Sequence, residues 1–199
     1  MEIHSKMEYN FNLWDDYTDE NEKSIQSELS KFIYHLTLGL GAKAVLEAGC
    51  NIGNNLSGFP SYFDVHGIDM NKKALNRARL RYPTFHFDEG SIAKMPYNDS
   101  QFDLVFTRGV LIHINQNDMP SAVKELFRVS RKWIINLEYF GEDGQMIKWK
   151  RGDNLLWYRD MKKWWNNTDV DIISNVDIPQ ELDIGKTRLT LVRKKTFSD

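Results

Sequence analysis

The chain has 199 residues, 41% hydrophobic and 27% charged, enough for one α/β domain with a full core and too few for two large ones. Its 26 basic and 28 acidic side chains leave a net charge of −2, so bulk electrostatics argue against a nucleic-acid partner. A single cysteine, Cys50, excludes an intramolecular disulfide, and no apolar run reaches signal-peptide or membrane-spanning length, so a cytoplasmic location without a membrane partner is expected.

Residues 1–20 are polar with interspersed Tyr9, Phe11, Trp14 and Tyr17, which predicts a partly ordered arm, short helix or lid. Ile25, Leu29, Phe32, Ile33, Leu36 and Leu40 recur at helical spacing, so a helix is expected over about 21–40, stopped by Gly39 and Gly41. Strand one is expected at 43–48, with a helix from about Ile52, and strand two at 63–69. Asn71 caps a helix that Pro83 ends; strand three follows at 84–87 and strand four at 102–106. Asn117 or Asp118 caps a helix with Pro120 in its first turn, and strand five, 133–137, is almost continuously apolar, as in a sheet buried on both faces.

Strand–helix alternation to this point implies a doubly wound, mostly parallel sheet. After residue 140 the rhythm changes. An aromatic helix is expected over 155–165, then two strands, about 169–176 and 187–194, joined through Ile178-Pro179-Gln180-Glu181 as an antiparallel closing hairpin. The expectation is one seven-stranded α/β domain over 1–199, with its core in 21–140 and a closing region in 141–199.

The chemistry is concentrated at the first turn. Strand one carries Glu47 and opens into Gly49-Cys50-Asn51-Ile52-Gly53-Asn54, predicting bare backbone N–H groups and a helix N-terminus facing a ligand. Asp69 ends strand two, about 20 residues beyond Gly49, where nucleotide-binding α/β folds grip a ribose diol. A dinucleotide fingerprint would need G-x-G-x-x-G, but Asn51 takes the middle position and no third glycine follows. That disfavours a pyrophosphate and hydride chemistry on NAD. An adenosine cofactor without phosphate, such as S-adenosylmethionine, fits better.

Residues 45–53, Asp69, the stretch Glu89-Gly90-Ser91-Ile92 and strand Phe102-Asp103-Leu104-Val105-Phe106 resemble the ordered motifs of class I S-adenosylmethionine-dependent methyltransferases. More narrowly, Asp16-Tyr17-Thr18-Asp19-Glu20-Asn21, Asn51-Ile52-Gly53-Asn54-Asn55-Leu56, the segment from Phe106 to Ile114, Glu138-Tyr139-Phe140 and Pro179-Gln180 resemble methylases associated with pseudaminic acid biosynthesis. The resemblance implies a Rossmann-like fold, S-adenosylmethionine as methyl donor, S-adenosylhomocysteine as product, and a role near cell-surface glycan pathways. It also implies a cofactor site of Tyr17, Glu47, Gly49, Cys50, Asn51, Gly53, Asn55, Asp69, Met70, Ser91, Ile92 and Arg108. Glu47 replaces the commoner aspartate, and Ser91 stands where many members carry an aspartate for the adenine amino group, leaving the Ile92 N–H as a donor.

On the acceptor side, His113 is the first candidate for a general base and Tyr139 the second, both just beyond strands. Arg108 would orient the methionine carboxylate or an anionic acceptor such as a sugar or sugar nucleotide. Basic and aromatic residues interleave from Lys148 to Trp165; the plain reading is an amphipathic helix with a core-facing aromatic stripe, the other an anion site at Lys150, Arg151 or Arg159. No two of the five histidines share ligand spacing on one face, so no metal is expected. A non-catalytic adenosyl-binding module and a nucleic-acid methyltransferase are the competing readings.

Overall fold

The computed structural model describes residues 11–22, 27–183, 185 and 187–195. Seven strands, β1 (Ala44–Ala48), β2 (Asp64–Asp69), β3 (His86–Glu89), β4 (Phe102–Arg108), β5 (Ser130–Tyr139), β6 (Val170–Asp177) and β7 (Thr187–Lys194), form one sheet in the order β3-β2-β1-β4-β5-β7-β6. Pairing is parallel from β3 through β5, and β7 lies antiparallel to both β5 and β6. This is the expected mostly parallel sheet with an antiparallel closing hairpin.

Strand alternation divides the core into two layers. Val45, Leu104, Phe106, Ile135, Leu189 and Leu191 face α2 (Ser27–Gly39) and α3 (Lys72–Arg81). Leu46, Val105, Ile134 and Val192 face α4 (Met119–Val129) and the short α5 (Met161–Trp165). Each helix buries a stripe, Leu29 and Ile33 on α2, Leu75 and Ala78 on α3, and Leu126 and Val129 on α4. Asn71 caps α3 as expected, its side chain accepting the Ala74 N–H. No helix among the described residues is long and apolar enough to cross a membrane.

The structure departs from the sequence expectations at several elements. The helix expected over 21–40 is α2, which carries Leu29, Phe32, Ile33 and Leu36, while the expected arm contains a helix of its own, α1 (Phe11–Asn21); residues 23–26 lie outside the described residues, as do the first ten of the arm. No α-helix begins at Ile52. A single 3-10 turn, Asn54–Leu56, stands there, preceded by Gly53 in the left-handed region. The aromatic helix is only five residues long, because 155–160 runs extended: Trp157, Tyr158 and Arg159 donate their N–H groups to the carbonyls of Ile112, Gln145 and Tyr139. Tertiary partners here override helix propensity. The β6–β7 connection, 178–186, is longer than four residues, though Ile178 N–H still bonds Thr187 O at 2.9 Å.

Candidate active site

β1 lies between β2 and β4, where the chain's progression across the sheet reverses, and open α/β sheets bind ligands at the carboxyl edge of such a point. After Glu47-Ala48 the chain turns through Gly49 (φ 82°), Asn51 (φ 47°) and Gly53 (φ 75°). A Cβ on Gly49 would lie 2.4 Å from Cγ2 of Val110, so handedness and the close approach of the loop after β4 both require glycine.

The expected bare N–H groups are not found in this turn. Gly49 and Cys50 donate to Ile68 O at 2.8 and 3.0 Å, Ile52 to Asn51 Oδ1 at 2.9 Å and Gly53 to Cys50 O at 2.8 Å. The reason lies in the local acceptors: the end of β2 and the short Asn51 side chain close the turn on itself. Asp69 completes the closure. Its Oδ2 accepts Asn51 N–H and its Oδ1 accepts Asn71 N–H, each at 2.8 Å, while burial pushes its carboxyl above the usual carboxylate range.

Glu47 is fully buried. Asn55 Nδ2 donates to Oε1 at 2.6 Å, and Oε2 has no partner among the described residues. Burial pushes this carboxyl up to about 8. An orphaned, buried carboxylate oxygen fits the ammonium group of an amino-acid ligand, whose charge would bring it back to the ionised form. Cys50, by contrast, packs its thiol toward Gly67, where a Cβ would meet Sγ at 2.7 Å, so it contributes backbone only. Met70 is 39% exposed at the rim. Gly90 N–H bonds Asp69 O at 2.9 Å, which sets Ser91 and the buried Ile92 beside the end of β2; Ser91 Oγ accepts Ala93 N–H.

Beyond β4 and β5 a cavity of about 150 Å³ is lined by Tyr17, Arg108, His113, Tyr139, Trp149 and Thr187 among others. His113 Nδ1 lies 2.7 Å from Leu155 O. A carbonyl only accepts, so Nδ1 carries the proton and Nε2 keeps its lone pair. Burial lowers this imidazole to about 4. Trp14 and Trp149 pack on the ring at centroid distances of 4.9 and 5.1 Å. Tyr139, the second base candidate, has its phenol pushed up by burial, which suits it to donating a hydrogen bond at neutral pH rather than taking a proton. Arg108 Nη2 pairs with Asp183 Oδ1 at 2.9 Å.

Two supporting residues, Thr18 and Glu138, escaped the sequence reading of the site, and Arg159 takes a different role from the one expected. Thr18 on α1 is fully buried; its hydroxyl accepts from the side-chain amides of Asn51 (3.1 Å) and Asn71 (3.2 Å) and donates to Trp14 O (2.8 Å). Glu138 accepts from Thr107 Oγ1 at 2.8 Å and from the N–H groups of Val110 and Ile112, fixing the turn Leu111–His113. A carboxylate directly after a continuous apolar strand was the available signal. Arg159, offered as an anion site, is 1% exposed and donates to the carbonyls of Leu111 and Ile114 from the other side of that turn. Arg151 pairs with Glu20 on α1 at 2.6 Å and lies 5.6 Å from the Tyr17 ring centroid.

Residues 45–132 match the family model described as a methyltransferase domain. The chain is 32% identical over 101 residues to an uncharacterized methyltransferase of Schizosaccharomyces pombe, an alignment spanning 44% of this chain and 36% of that protein. It is 33% identical over 110 residues to phosphoethanolamine N-methyltransferase 1 of Arabidopsis thaliana, spanning 52% of this chain and 21% of the relative. The chain thus spans about a third or less of the length of these curated relatives. Among solved structures, 1,6-didemethyltoxoflavin-N1-methyltransferase of Burkholderia thailandensis, with bound 1,6-didemethyltoxoflavin and S-adenosylhomocysteine, superposes with a TM-score of 0.71 at 16% identity, covering 93% of this chain and 85% of that one. The chain therefore has the α/β fold of class I S-adenosylmethionine-dependent methyltransferases, with its methyltransferase-domain match confined to residues 45–132.

Proposed function

We propose that this protein is a methyltransferase that uses S-adenosylmethionine, releases S-adenosylhomocysteine and methylates a small molecule. The observation that carries the reading is the adjacency of two features along one sheet edge. One is a cradle with an unpartnered buried carboxylate at Glu47; the other is a cavity of about 150 Å³ with a neutral, tautomer-fixed imidazole at His113. The matched methyltransferase domain and the S-adenosylhomocysteine-bound relative support the choice of cofactor.

In this reading Asp69 holds the ribose hydroxyls, Glu47 the amino group, the Ser91-Ile92 turn the adenine edge, and Arg108 the methionine carboxylate or an anionic acceptor. When bound, the cofactor supplies an electrophilic methyl group on a sulfonium. The chain's own contribution is alignment and exclusion of water, for which Trp14, Tyr17 and Trp149 form an aromatic cover. His113 Nε2 takes the proton of a hydroxyl or amine acceptor, a contribution of about 10²–10⁴-fold. The cavity suits a compact acceptor, and Arg108 beside it favours one bearing an acid. A sugar-derived acid of cell-surface glycan biosynthesis is the acceptor class we assign, O- or N-methylated.

Isothermal titration with S-adenosylmethionine, followed by incubation with labelled donor and a small-molecule extract, tests this directly. The expected result is micromolar binding and a labelled product whose formation falls about 100-fold in His113→Ala. Absence of cofactor binding would remove the whole assignment. Binding without any labelled product would favour a non-catalytic adenosyl-binding module. A labelled product formed at full rate by His113→Ala would mean an acceptor that is already anionic.

A further inference from the structure

The opposite end of the sheet carries a second cluster of chemically active side chains. Asp64 and His66 alternate on β2 and so share one face, and the parallel register sets His86 of β3 directly beside His66. The two imidazoles stack with ring centroids 4.6 Å apart, and His66 Nε2 lies 3.1 Å from Asp64 Oδ1. One ligand atom from each of the three residues falls within 4.8 Å of the others. Twenty residues separate the two histidines in the chain, so their pairing is invisible until the strands are placed side by side. The sequence offers no histidine pair at ligand spacing; it is the parallel register of β2 and β3 that brings His66 and His86 together.

The surroundings leave a particular set of atoms available. The His66 ring packs edge-on against Phe102 at 5.0 Å, and its Nδ1 is buried without a partner. Nε2 is therefore the nitrogen that reaches the cluster. Asp64 and His86 are exposed, so a small ion has a direct approach from solvent. Two imidazole nitrogens and one carboxylate oxygen form a borderline-soft donor set, the kind that holds zinc with water in the remaining position.

We propose that Asp64, His66 and His86 form a zinc-binding site that clips β3 to β2 at the amino ends of these strands. β3 is the outermost strand on its side of the sheet, four residues long and paired only with β2. A metal bridging the two would secure an element with few backbone hydrogen bonds. Along β2, Asp64 lies roughly 16 Å and His66 roughly 10 Å from Asp69, at about 3.3 Å per residue. The role of the zinc site is to hold the fold, and it takes no part in chemistry at the carboxyl edge.

Calorimetric titration of tag-free protein with zinc chloride is the test. One equivalent should bind to the parent, and the exposed substitution His86→Ala should weaken binding at least about tenfold, since loss of a direct ligand exceeds the loss of its supporting shell. His113→Ala, at the far edge, should bind zinc like the parent. Zinc should also raise the melting temperature of the parent and leave that of His86→Ala unchanged, because only the parent gains a folded-state ligand. The proposal fails if the parent binds no zinc, or if His86→Ala binds it as tightly as the parent.

Discussion

Glu47 and His113 are both removed from water, and desolvation drives their proton affinities in opposite directions: the carboxyl rises to about 8 and the imidazole falls to about 4. Without ligand, Glu47 is therefore largely protonated at pH 7. If it meets an ammonium group, it must ionise. Calorimetry at pH 7 in buffers of different ionisation enthalpy should show a proton released on S-adenosylmethionine binding, and Glu47→Gln should abolish that release and weaken affinity. The stability consequence has a definite sign. The folded carboxyl keeps a proton that the unfolded chain, with an ordinary glutamate, gives up above about 4.5, so this residue makes the ligand-free protein less stable as pH climbs from about 4.5 to 8. Urea midpoints at pH 6 and pH 9 should diverge less in Glu47→Gln than in the parent. The position of this acid was legible, because a carboxylate closing an apolar strand before a glycine turn has few structural uses. Its missing partner was not, since that depends on Asn55 reaching back from eight residues away to only one of its two oxygens.

At the scale of elements, the turn Leu111–His113 is held from both sides. Glu138 takes its N–H groups and Arg159 its carbonyls, so the imidazole of His113 inherits a fixed position from two buried charges. Arg159→Met should lower stability by at least about 2 kcal/mol, because buried carbonyls that lose their donors each cost about 1–3 kcal/mol. Chemical denaturation would measure this, and the variant should lose turnover while retaining cofactor binding, because the cradle at 47–53 does not touch Arg159. The strands and α3 were readable from apolar runs, an Asn cap and a Pro stop. The stretch 155–160 was not: its aromatic and basic residues fit a helical stripe equally well. Only the carbonyls of Ile112, Gln145 and Tyr139, from three separate parts of the chain, draw it out into an extended segment.

For the molecule as a whole, strand order matters more than strand count. β7 comes last among the described strands but sits between β5 and β6, burying Leu189, Leu191 and Val192. Deleting residues 187–199 would strip one edge of β5 and leave β6 without its sheet partner, so the truncated chain should fail to fold cooperatively, as read by circular dichroism and thermal melting. The seven strands were foreseeable from the sequence. The attachment of α1 was not, because Thr18 carries no pattern that marks it as a contact. Its hydroxyl donates to the Trp14 carbonyl and receives an amide from each side of the cradle, from Asn51 and from Asn71. The two amides beside the cradle thus also fasten the helix that carries Trp14 and Tyr17. A change that disturbs the turn at Asn51 or Asn71 would slacken that aromatic cover as well, so cradle and cover stand or fall as one unit.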